Sequence, residues 1–152
     1  MDRPRPDDHP LEVALLVADH TADDEVVMAA LLHDVVEDRQ ASADEVQRHV
    51  GRRVARLVRT LTEDESVEDY EERKAEHRER VAGAGEDAAL IFTADKVANA
   101  RSMRRGVKEL DPKKVAHYRA TLELMRGRYP GLPLLDELER AIEELASSIS
   151  SR

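Results

Sequence analysis

The 152-residue chain contains no cysteine. Disulfides and thiolate zinc sites are thereby excluded. Any metal ion has to be held by His, Asp and Glu, a donor set suited to Mn²⁺, Fe²⁺, Mg²⁺ or Zn²⁺. Tryptophan is absent too, and the aromatic side chains are confined to Tyr70, Phe92, Tyr118 and Tyr129, too few for a platform on which single nucleic-acid strands stack. No apolar run approaches the roughly 20 residues of a membrane-spanning helix. The start of the chain, Met1 to Asp8, lacks the hydrophobic region of a signal peptide, so a cytoplasmic location is expected. Positive charge is in deficit: 24 Lys and Arg against 33 Asp and Glu leave a formal charge of -9. That balance argues against nucleic acid or an anionic membrane as partner, and an anionic small molecule would need a metal ion and a few placed cations to hold it.

What is present is a helix-forming chain with 41% apolar residues, enough for one domain with a real core. A Pro-rich lead over residues 1–8 precedes a single expected domain over residues 9–150. The apolar periodicity is helical nearly throughout, and no alternating β-branched run is bounded by hairpin residues, so the fold class is all-α. Helix one is predicted from Pro10 to Asp19, with proline in the first turn where its missing N–H is harmless. Thr21 to Glu25 supplies caps and first-turn acids for helix two, which runs to about Arg39. Ser42-Ala43-Asp44-Glu45 is a capping box for a short helix stopped at Gly51, and Arg52 to Leu61 continues beyond it. Asp69 to Val81 is a charged helix with a solvated surface, in which Asp69 with Arg73 and Glu76 with Arg80 are favourably spaced. After the Ala82-Gly83-Ala84-Gly85 break, Glu86 to Arg104 is the most apolar helix, followed by helices over Lys113 to Met125 and Leu132 to Ile149.

Two places break the apolar pattern with chemistry-bearing side chains. Ala29-Ala30-Leu31-Leu32-His33-Asp34-Val35-Val36-Glu37-Asp38 sets an imidazole and three carboxylates into about two helical turns. At helical spacing Val27, Leu31, Asp34 and Asp38 share one stripe, so Asp34 points where a core residue is expected. A buried carboxylate has to be protonated, paired or bound to a metal, and the adjacent His favours metal. In the later apolar helix Asp95, Asn99 and Ser102 form a similar stripe. His9, His33, Asp34 and Asp95 together are nominated as one centre, an incomplete octahedral shell that leaves room for water and a substrate oxygen. Glu37 and Asp38, one turn beyond His33 and Asp34, are nominated to position or deprotonate the water. His20, His49, His77 and His117 read as surface or packing residues.

These segments resemble the HD-domain hydrolases of the RelA/SpoT type, including the stand-alone small alarmone hydrolases. The likeness rests on His9-Pro10, on the Ala29 to Asp38 segment, on Gly51 to Val58, on Glu72-Arg73-Lys74 and on Ala94-Asp95-Lys96-Val97-Ala98-Asn99, in the family's order and spacing. It implies an HD-domain helical bundle, a divalent ion, typically Mn²⁺, on His9, His33, Asp34 and Asp95, and Glu37 and Asp38 as the acids that serve the hydrolytic water. It also implies that Asn99 contacts substrate or orients the site. The reaction implied is removal of pyrophosphate from the 3′ position of ppGpp or a related nucleotide. Arg73, Lys74, Lys96 and Ser102 join Asn99 as substrate-contact candidates. The chain departs from the family pattern in carrying Phe92 where a Lys is usual and Ala98 where a His is frequent. Only eight residues stand ahead of His9, with Arg3 and Arg5 in place of the family's Arg-Lys grip. The competing readings are an HD phosphohydrolase for another phosphorylated nucleotide and an HD scaffold that binds nucleotide or a partner without turnover.

Overall fold

Helix caps set the outline of the fold. In the computed structural model, which describes residues 9–37 and 43–150, the chain forms α1 (His9–Ala18), α2 (Asp24–Glu37), α3 (Ala43–Val50), α4 (Arg52–Leu61), α5 (Tyr70–Ala82), α6 (Glu86–Arg104), α7 (Pro112–Arg128) and α8 (Leu135–Ser150). No strand occurs among the described residues, in keeping with the all-α expectation. Asp69 caps α5 by accepting from the Glu72 N–H at 2.9 Å, and Asp111 caps α7 by accepting from the Lys113 N–H at 3.0 Å, with Pro112 in the first turn. Gly85 begins α6 at φ 116°, a conformation that a side chain would strain, which is why the break before the most apolar helix ends in glycine.

The α6 helix is the axle of the bundle. It packs against α1, α2, α4, α5, α7 and α8, and Ala88, Ala89, Ala94, Ala98 and Ala100 are buried along it. Those small side chains let neighbouring helices approach on every side, while Leu90, Ile91, Phe92, Val97 and Met103 fill the spaces between them. The core continues into Val13 and Val17 of α1, Val54 and Val58 of α4, and Leu138, Ile142 and Leu145 of α8.

Three expectations need correction. The α2 stripe is not buried along its length: Leu31 is 38% exposed, and the fully buried face is Val26, Ala29, Ala30 and His33. The helix is turned by about one residue because α1, α4 and α6 all press on it, while the Asp34 side chain, 14% exposed, stays nearly as buried as Asp95 at 13%. Helix α5 is less solvated than its charges suggest, for His77, Val81 and Ala82 are buried and Arg80 donates to the carbonyls of Arg59, Thr60 and Thr62. Its long side chains lay their stems along the bundle and reach polar partners with their heads. Helix α8 starts at Leu135, later than Leu132, because Pro133 and a positive φ of 75° at Leu134 keep the chain out of helix there.

Candidate metal centre

Helices α1, α2 and α6 each send polar side chains to one point. His9 opens α1, His33 and Asp34 lie in the last two turns of α2, and Asp95 sits midway along α6. His9 Nε2 lies 2.8 Å from Asp95 Oδ1 and 3.6 Å from Asp34 Oδ2. His33 Nε2 is 3.2 Å from Asp34 Oδ1 and 3.5 Å from Asp95 Oδ1. Donor atoms of His9, Asp34 and Asp95 all fall within 4.8 Å of one another, and His33 adds a second imidazole beside both carboxylates.

The surroundings orient these groups. His33 is buried, and its Nδ1 donates to the Ala30 carbonyl at 2.7 Å, which aims Nε2 at the carboxylates. Asp95 uses its two oxygens differently: Oδ1 faces the imidazoles, while Oδ2 accepts from Lys96 Nζ at 2.8 Å and from Asn99 Nδ2 at 3.1 Å. Burial alone would raise the Asp95 pKa, but the Lys96 charge and the hydrogen bonds from His33 and His9 hold it well below the usual carboxylate range. Burial alone would also discharge His33. The Asp95 hydrogen bond and the Asp95 and Asp34 charges outweigh it and raise its pKa to about 9. Two imidazoles and two carboxylates facing one point are a donor set that fits a divalent first-row ion.

The remaining nominated residues divide. Lys96 is buried beside the centre, its ammonium 4.0 Å from the Phe92 ring centroid, and Asn99 bonds Asp95 directly. Ser102 is buried one turn on, where its carbonyl accepts the N–H groups of Val107 and Lys108. Arg73 and Lys74 are held elsewhere, both on Glu63, and burial of Glu63 is outweighed by Lys74, so its pKa falls. Lys74 also lines a cleft of about 400 Å³ between α5 and α7 with Tyr70, Arg78, Lys113 and His117. The side chain of Glu37, at the end of α2, and the whole of Asp38 lie outside the described residues, as do Arg3 and Arg5.

Sequence reasoning missed Lys108. It follows α6 in a loop with no periodic pattern, yet its Nζ donates to Asn99 Oδ1. His77 and His117 are packing residues as expected, each ring edge-on to Phe92, at 5.0 and 5.9 Å between centroids. Burial, then the nearby Lys96 charge, pushes their pKa values down to about 3 and about 2.

Comparison with known proteins places this geometry. The mouse guanosine-3′,5′-bis(diphosphate) 3′-pyrophosphohydrolase MESH1 is 37% identical over 99 residues, covering 64% of this chain and 55% of that protein. The corresponding enzyme of Aquifex aeolicus is 33% identical over 97 residues, 62% of this chain and 14% of its own. The chain thus spans about half the length, or less, of these relatives. Among solved structures, lmo0812 from Listeria monocytogenes superposes with a TM-score of 0.79 at 29% identity, covering 90% of this chain and 97% of that one. A metazoan ortholog of SpoT that hydrolyses ppGpp gives 0.74 at 32% identity, with 91% and 84% covered. The HD domain family matches residues 6–124, a stretch that includes α1, α2 and α6 with all four converging side chains. The chain belongs to the HD domain family.

Proposed function

We propose that this protein is a metal-dependent 3′-pyrophosphohydrolase of ppGpp or a closely related nucleotide, working with Mn²⁺ held by His9, His33, Asp34 and Asp95. Residues 9–150 form the catalytic unit. The observation that supports this most is the convergence of two imidazoles and two carboxylates from α1, α2 and α6. When bound, the ion supplies Lewis acidity, lowering the pKa of water and offsetting charge on the phosphoryl oxygens.

The chain's own residues do the rest. Lys96 and Asn99 hold Asp95 Oδ2, so that Oδ1 is presented to the centre. Glu37 and Asp38 take up the proton of the attacking water and return one to the 3′ oxygen as pyrophosphate departs, leaving a nucleoside 5′-diphosphate. Lys74, with Arg78 and Lys113 along the α5–α7 cleft, offers cations to the phosphates remote from the bond that breaks. Arg73 supports Lys74 through their shared partner Glu63.

The test is pyrophosphate release from ppGpp by the Mn²⁺-loaded protein. Wild type is expected to release one pyrophosphate per nucleotide, and His33→Ala and Asp34→Ala to lose both bound metal and turnover. Glu37→Gln is expected to keep the metal while turnover falls by about 10²-fold or more, the usual scale of general acid–base contributions. A metal-loaded wild type inert toward ppGpp but active on another phosphorylated nucleotide would reassign the substrate. Inertness toward all of them would leave a binding scaffold.

A further inference from the structure

We propose that Lys108 is a positioning residue of the metal centre, acting through Asn99 to fix how Asp95 presents its carboxylate. The inference rests on the metal centre proposed above and concerns a residue outside its ligand set. Asn99 and Lys108 are nine residues apart and come together because the chain reverses after α6. Gly106 adopts φ 78°, and the N–H groups of Val107 and Lys108 return to the Ser102 carbonyl at 2.9 and 3.3 Å. That reversal lays the half-buried Lys108 side chain against Asn99 Oδ1.

The chemistry of its two partners clamps the amide in one orientation. An ammonium group can only donate, so the Asn99 oxygen must face Lys108. The Asn99 NH₂ is thereby turned to Asp95 Oδ2, where it donates at 3.1 Å. Asp95 Oδ2 can only accept, so it favours the same orientation; without Lys108 the amide keeps that sense but is held at one end instead of two. With Lys96 donating to the same Oδ2, the relay leaves Asp95 Oδ1 as the atom aimed at His9 and His33. Such outer partners of a metal ligand typically contribute 10- to 100-fold to metal affinity.

The experiment measures Mn²⁺ binding to the full chain by calorimetry, with no nucleotide present. Lys108→Met is expected to weaken Mn²⁺ binding about tenfold, Lys108→Arg, which still only donates, to stay within about twofold of wild type, and neither to move the thermal midpoint of the metal-free protein. In an Asn99→Ala background Lys108→Met is expected to add little, since the relay is already cut. Unchanged Mn²⁺ affinity in Lys108→Met overturns the proposal, even if the KM for ppGpp rises, because that pattern belongs to a direct substrate contact. Equal loss in Met and Arg variants, or additive loss with Asn99→Ala, overturns it as well. A wild type that binds no Mn²⁺ removes the metal centre itself, and the relay with it.

Discussion

His33 and the pair His77 and His117 are all buried imidazoles, yet their neighbours drive them in opposite directions. Two carboxylates raise His33 to about 9 in the metal-free protein, so its contribution to stability is present below its ordinary 6.5 and fades as pH rises through 9. In the proposed metal-bound state a divalent ion takes the place of that proton. Calorimetry at pH 7 in buffers of different ionisation enthalpy is expected to show about one proton released per Mn²⁺ bound, and none well above pH 9. Burial and the Lys96 charge lower His77 to about 3 and His117 to about 2, so both enter the fold neutral. The unfolded chain binds these protons first, and stability falls as pH drops below 6.5. Each ring is expected to cost about 2 kcal/mol between pH 7.5 and pH 5. Denaturant titrations at the two pH values check this, and His117→Gln should flatten the dependence. That His9, His33, Asp34 and Asp95 were candidates for one centre could be read from residue type and spacing, because such groups interrupt apolar helical runs. The opposite states of the histidines could not, since they depend on which charges face each ring.

At the scale of elements, helix boundaries were legible where an acid or glycine carries a local energetic preference, as at Asp69, Gly51 and Gly85, where helices begin; the Asp111 cap of α7 was not read, and that helix runs on past Met125 to Arg128. Nor was the face that α2 buries. Val26 and Val27 are equally apolar, and only the combined pressure of α1, α4 and α6 decides between them. The alanine-lined α6 has the least tolerance for added volume. Ala94→Leu or Ala98→Leu, both fully buried next to Asp95 and Asn99, is expected to destabilise by about 1–3 kcal/mol or more. Because the same change pushes α6 away from α1 and α2, bound Mn²⁺ should fall with it, whereas a change at exposed Met28 should leave both quantities near wild type. Urea denaturation and metal analysis of the three variants check the contrast.

At the scale of the whole molecule, the centre joins groups 86 residues apart, His9 and Asp95, and sequence spacing alone says nothing of that distance in space. The family likeness made the meeting legible; Lys108, placed only by a loop reversal, stayed hidden. Ligand binding to the folded state alone stabilises by mass action, so Mn²⁺ at 100 times its Kd is expected to add about 2.7 kcal/mol. For a chain of this size that is a rise of about 5–10 °C in Tm, reversed by a chelator, as differential scanning would report. Helix α1 is tied to the same meeting point. It is a ten-residue helix whose outer side chains Leu11 and Leu15 are 54% and 59% exposed, and the His9 imidazole moors its first turn to α6. Losing that bond, as in His9→Ala, would therefore loosen the front of the molecule before the bundle melts: amide exchange should quicken along the first turn of α1 while α6 stays protected, and those leucines would become a sticky edge.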